Sequence, residues 1–111
     1  LVVFKTSYQK GEYIAVRSNI KDRAAYEIGI LRENYGEHNR NEEIDIMWLK
    51  LYQENNPLVF EKNNKILTNI NGSIIGAVKV DLKMGKYHIS QETHDKIKSN
   101  FENVPIYGYA K

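Results

Sequence analysis

The sequence contains no cysteine and only two prolines. A disulfide framework and a thiolate metal site are therefore excluded, which fits a reducing compartment. No apolar run approaches the ~18 residues that a membrane-spanning helix needs. The amino-terminal residues show no signal-peptide pattern. We therefore expect a cytoplasmic protein that does not act on a membrane.

The chain also lacks a strong excess of either charge. Its 111 residues carry 16 basic and 14 acidic side chains, for a net charge of +2. A nucleic-acid-binding domain usually shows a stronger basic stripe than this. The length suits one domain over residues 1–111, with enough chain to bury a core. Plentiful Asn, Ile and Lys favour a bacterial or phage origin.

The first third of the chain is predicted to form a hairpin and a helix. Residues 1–7 and 12–18 are rich in β-branched or alternating apolar residues, which favour two paired strands. Residues 21–34 place apolar side chains at positions i, i+4 and i+7, which indicates a helix. Gly29 opposes a helix, and a strand is the alternative for residues 26–31.

A second helix is predicted to begin after Asn41, which is a good N-cap residue. Ile44, Met47, Trp48 and Leu51 then fall at i, i+3, i+4 and i+7, the spacing of an amphipathic helix. Two glutamates in the first turn agree with the helix dipole. The following proline ends the element.

After this proline the pattern changes to a period of two, which predicts strands. Residues 58–62 and 65–70 are two short strands, and residues 73–83 form the longest one. Asn71-Gly72 predicts a tight hairpin turn between the last two. Gly76 marks a bulge in the long strand.

The last part of the chain is predicted to add a helix and then either a last strand or an extended arm. Gly85 turns the chain, Ser90 caps a third helix, and Pro105 places residues 104–111 at a sheet edge. The predicted fold class is therefore α+β. It has a mostly antiparallel sheet of about five to six strands with three helices, in the order ββααβββαβ.

Asp81 and Lys83 lie two positions apart on the long predicted strand, so their side chains share one side of it. In metal-dependent nucleases of the restriction-endonuclease-like class, such a carboxylate holds Mg²⁺ and the lysine positions water or stabilises charge. A second carboxylate is required, for which Glu61 or an acid of the second predicted helix is the candidate. Ordinary cross-strand charge pairing produces the same pattern, so a nuclease is our least favoured hypothesis.

No other catalytic or metal site is indicated. His88, His94 and Glu92 match no compact zinc-ligand spacing. No serine lies in the glycine-framed turn that activates it as a nucleophile. We therefore expect no catalytic residue, no metal and no cofactor.

Tyrosine is the most unusual feature of the composition, with eight copies. This residue offers a large, stiff area and a hydrogen-bonding tip, and it is enriched at protein interfaces. Tyr107 and Tyr109 share a side if their segment is extended, and they form a candidate binding pair.

A basic and aromatic sheet face is the second candidate binding surface. It consists of Lys79, Lys83, Lys86, Tyr87 and His88. The main hypothesis is a small binding protein, of an inhibitor, accessory or regulatory type, that acts through a protein interface. A nucleic-acid binder and a small-molecule or nucleotide binder are the alternatives. Self-association through a sheet edge is a further expectation.

Overall fold

The computed structural model describes residues 2–20, 23–70 and 72–100, excepting the side chains of residues 18–25 and 64–66. These residues form eight strands, one α-helix and a 3₁₀ turn at Glu37–Asn39. The elements are β1 (Val2–Val3), β2 (Tyr13–Ile20), β3 (Arg23–Leu31), β4 (Ile44–Gln53), β5 (Asn56–Thr68), β6 (Ile74–Val78), β7 (Asp81–Lys83), β8 (Lys86–His88) and α1 (Gln91–Ser99).

All eight strands belong to one antiparallel sheet, in the order β1-β6-β2-β3-β4-β5-β8-β7. The sheet is strongly curled. Lys79 and Val80 alone link β6, which is second in this order, to β7, which is last. The rings of Tyr13 on β2 and Tyr87 on β8 lie 6.2 Å apart although three strands separate them in the sheet.

Both faces of the sheet bury apolar side chains. One face, here called the helix face, packs against α1 through Ile97 and includes Ala15, Ile28, Leu49, Phe60, Ile75, Val78, Tyr87 and Ile89. The other, here called the loop face, is covered by loop residues. Its core consists of Tyr8, Ile14, Val16, Leu31, Tyr35, Ile44, Ile46, Trp48, Ile70 and Ile74.

The predicted α+β fold with three helices in the order ββααβββαβ is wrong, because the described residues form one antiparallel sheet of eight strands with a single α-helix. The first two predicted helices are strands. Residues 23–31 form β3, in agreement with the alternative of a strand for residues 26–31. Gly29 lies opposite Trp48, and a Cβ at this position would lie 2.5 Å from Cγ2 of Ile46. Glycine is therefore required by close packing of two strands.

The second predicted helix is β4. Ile44, Ile46 and Trp48 alternate onto the loop face, and Leu49 lies on the helix face. Because both faces are buried, apolar residues occur on both sides of the strand. Their combined spacing imitates that of an amphipathic helix.

The strands predicted near the amino terminus exist, but they do not pair with each other. β1 pairs with β6, and β2 pairs with β3 and β6. The predicted strands at residues 58–62 and 65–70 are one continuous strand, β5, which pairs with β4 and β8. The predicted long strand at residues 73–83 is divided into β6 and β7.

Several local predictions are confirmed. The register between β2 and β6 shifts beside Gly76, where β6 carries one extra residue, as expected for a bulge. Ser90 caps α1, and its Oγ accepts a hydrogen bond of 3.0 Å from the Thr93 N–H. The final strand predicted at residues 104–111 lies outside the described residues.

Candidate functional site

The β7–β8 hairpin carries most of the predicted site residues. Asp81 pairs with His88, Leu82 with Tyr87, and Lys83 with Lys86. Met84 and Gly85 form the loop, with φ angles of 50° and 76°. Two consecutive positive φ angles define a type I′ turn, whose twist matches that of the flanking strands.

The strand register places the charged residues on the loop face. Asp81, His88 and Val59 lie in one row across three strands, and Lys83 and Lys86 lie in the next row. Asp81 and Lys83 therefore share one side of the strand, as the sequence predicts. Lys79 is exposed on the link before β7.

Tyr52 joins this face from β4. The Nζ atom of Lys86 lies 4.7 Å from the centroid of the Tyr52 ring, a distance that allows a cation–π interaction. On β4 Lys50 lies opposite Glu61 of β5. The face is thus mixed in charge, with an aromatic ring among the lysines.

Glu61 and Asp81 do not form a carboxylate pair. Asp81 of β7 lies in the same row as Val59 of β5, with β8 between the two strands. Val59 precedes Glu61 by two residues along β5. With strands ~4.8 Å apart and ~3.3 Å per residue, their Cα atoms are roughly 12 Å apart. Within the described residues no three His, Cys, Asp or Glu side chains are grouped as metal ligands.

Tyr87 does not belong to the exposed surface on which it was predicted to lie. Its side chain is only 6% exposed and belongs to the core of the helix face. Lys86 and His88, its neighbours, are half-buried on the opposite face. Tyr107 and Tyr109 lie outside the described residues.

Two apolar residues of the hairpin are far more exposed than the core they adjoin. Met84 is 100% exposed and Leu82 is 61% exposed. A methionine beside glycine in a two-residue turn was the available signal that the tip is unusual. We define the hairpin surface as Tyr52, Lys83 and Lys86 on the loop face, Leu82 on the helix face, and Met84 at the tip between them.

The backbone of β7 offers a sheet edge. The N–H of Ile89 donates to the carbonyl oxygen of Leu58 on β5, at 2.9 Å. Backbone groups alternate in direction along a strand, so those of Tyr87 also point to β5. Leu82, opposite Tyr87, therefore directs its N–H and C=O away from β8. Among the described strands β8 is the one neighbour of β7.

His94 serves to hold α1 on the sheet. Its Nδ1 lies 2.8 Å from the hydroxyl oxygen of Tyr26 on β3. Burial lowers the pKa of His94, Lys98 lowers it further, and Asp95 opposes this change. Burial also raises the pKa of Tyr26 far above its ordinary value. The consistent arrangement is a neutral imidazole whose Nδ1 accepts a hydrogen bond from the Tyr26 hydroxyl.

A shallow groove lies elsewhere on the loop face. Its volume is about 230 Å³, and Phe4, Tyr8, Tyr35 and Arg40 are among the residues that line it. Sites for small molecules usually enclose ~300–1,000 Å³. The groove therefore gives little support to a small-molecule binder.

No family model, no curated protein and no solved structure matches this chain. Among the described residues, no helix has the length and apolar character required to cross a membrane.

Proposed function

We propose that this chain is a non-catalytic, cytoplasmic binding protein whose hairpin surface contacts a protein partner. Met84 supplies exposed apolar area at the tip, with the Tyr52 ring and the charges of Lys83 and Lys86 beside it on the loop face. Leu82 adds exposed apolar area on the helix face of the same hairpin. Apolar and aromatic residues within a polar rim are typical of protein-binding sites.

Met84 is the observation that carries the proposal. Its φ of 50° lies in the left-handed region, which costs a residue with a Cβ roughly 1–2 kcal/mol. Asparagine or glycine would suit the turn better. Met84 also buries none of its side chain. It therefore stabilises neither the turn nor the core, which supports a role in contact with another molecule.

The matched test is Met84→Asn. This variant keeps a residue that tolerates the turn and removes the flexible apolar side chain. We expect the variant to be at least as stable as the wild type in thermal unfolding. In affinity capture from the native host followed by mass spectrometry, we expect it to lose a partner that the wild type retains.

Leu67→Asn is the control, since Leu67 is another exposed apolar residue, 62% exposed on β5 and outside the hairpin. Equal capture by the wild type and both variants would refute the proposal. If only Leu67→Asn loses the partner, the binding site lies on β5 and not on the hairpin.

A nucleic acid is the second candidate partner. It is favoured by one observation, the position of the Lys86 ammonium over the Tyr52 ring beside Lys83. Such a face could follow a phosphate backbone and stack a base. Glu61 and Asp81 on the same face count against it. Binding to single-stranded DNA or RNA that weakens steeply with added salt, and with Lys83→Ala, would favour this candidate.

A further inference from the structure

We infer that the outer edge of β7 pairs with the same strand of a second copy of this chain, which gives a two-fold symmetric dimer. This inference rests on the proposed function, because it assigns an occupant to one side of the hairpin surface. It is carried by three properties of β7, namely its charges, its backbone and its side-chain row.

The charges of β7 are complementary to themselves. In an antiparallel pair with the two-fold axis at Leu82, Asp81 lies opposite Lys83 of the second copy, and Lys83 lies opposite its Asp81. Opposite charges that face each other across strands attract. Within one chain Lys83 instead faces Lys86, a like-charge pair. The second copy's aspartate would offset this repulsion.

The backbone fits the same register. The N–H and C=O groups of Leu82 point away from β8. This follows from the backbone hydrogen bond between Ile89 and Leu58, which fixes the direction of the backbone groups along β8, and from the pairing of Leu82 with Tyr87. Two copies of Leu82 that face each other can therefore exchange two hydrogen bonds, as in the closely bonded pairs of an antiparallel ladder. A register shifted by one residue would lose both bonds and both ion pairs.

The side chains continue across the junction. Leu82 ends a row that crosses four strands on the helix face, and the members of this row are Leu51, Phe60, Tyr87 and Leu82. The middle two are buried, whereas Leu82 is 61% exposed. A second copy would place its own Leu82 beside the first and extend the row.

Exposed edge strands usually carry charges that prevent pairing. A protective pattern would present like charges to a twin strand, whereas Asp81 and Lys83 present opposite ones. The paired segment is only three residues long. We therefore expect a weak dimer that dissociates on dilution, at the small end of specific interfaces.

A charge exchange tests the register. Asp81→Lys alone and Lys83→Asp alone each bring like charges together in the dimer. An equimolar mixture of the two variants restores both attractive pairs, and so does the double variant Asp81→Lys/Lys83→Asp. Both side chains are exposed, so the fold should survive each change. The emission of the single tryptophan and far-UV circular dichroism confirm this.

Sedimentation velocity of the full chain over a dilution series is the measurement. We expect concentration-dependent association of the wild type, at least a tenfold weaker association of each single variant, and recovery in the mixture and in the double variant. Equal association of all variants, or a mixture no stronger than its components, would overturn the register. A wild type that is monomeric at every concentration would overturn the dimer.

The two proposals fail separately. Capture of a different protein that depends on Met84 would stand even if β7 does not self-pair. Conversely, a charge-dependent dimer with no captured partner would leave self-association as the one role of the hairpin.

Discussion

Replacing Gly29 by alanine tests how closely β3 and β4 pack. The added Cβ would lie 2.5 Å from Cγ2 of Ile46 and 3.1 Å from Cε3 of Trp48. Carbon atoms in contact are normally ~3.5–4.0 Å apart, so Ile46 or the β3 backbone must move by about 1 Å. Ile46 is 0% and Trp48 3% exposed, and a close-packed core resists such a shift.

The size of the effect follows from two opposing contributions. Overpacking a well-packed site costs typically ~1–3 kcal/mol. Alanine also has fewer backbone conformations than glycine in the unfolded chain, which stabilises the folded state by ~0.4–1 kcal/mol. We therefore expect Gly29→Ala to lower the free energy of unfolding by about 1–2 kcal/mol. In a domain of this size, this corresponds to a decrease in Tm of roughly 4–9 °C.

Urea unfolding followed by the emission of Trp48 and by circular dichroism measures this loss. In an Ile46→Ala background the closest clashing atom is gone and the contact with Trp48 at 3.1 Å remains, so the further cost of Gly29→Ala should be much smaller. Gly36→Ala is a milder control, because its added Cβ would meet Ser7 Cβ at 3.3 Å. A Gly29→Ala protein as stable as the wild type, or the same loss in both backgrounds, would refute the packing argument.

Three further predictions concern α1 and the hairpin. The pKa of His94 is lowered from 6.5 by burial, so the unfolded chain binds a proton first as pH falls. Stability should therefore fall as pH decreases from neutral through 6.5, and His94→Gln should flatten this slope in thermal unfolding at several pH values. Ser90→Ala removes the acceptor of the Thr93 N–H and should cost about 1 kcal/mol in urea unfolding. Met84→Asn relieves the left-handed strain and should stabilise the fold by up to about 1 kcal/mol in the same assay; a loss of stability would show that Met84 packs against the hairpin.

The two misassigned helices show which information the sequence lacks. In β4 the residues Ile44, Met47, Trp48 and Leu51 have the spacing of a helix. The structure instead buries Ile44, Ile46 and Trp48 on one face and Leu49 on the other. A strand between two cores has no polar side, so its period of two is obscured. The β-branched and aromatic content of the segment was the better guide.

Turns were predicted better than strand partners. Gly72 has a φ of 79°, and the N–H of Ser73 donates to the carbonyl oxygen of Ile70, so a tight turn does occur there. The strands on either side of this turn nevertheless pair with other strands. Turn chemistry is local, whereas pairing depends on the whole sheet.

The same distinction applies to the candidate site. Alternation correctly placed Asp81 and Lys83 on one side of a strand, because that depends on two neighbouring positions. The distance from Asp81 to Glu61, and the burial of Tyr87, depend on the insertion of β8 between β5 and β7. No local pattern could supply that order.

The position of β6 between β1 and β2 has a consequence for the synthesis of the protein. Val2 pairs with Val78, and Ile14 pairs with Ala77. β1 and β2 must therefore wait until β6 has left the ribosome before they gain this partner. Contacts so distant in sequence slow folding, and edge strands are prone to wrong pairing while they wait. We expect chains that end before β6 to depend on chaperones and to be degraded rapidly.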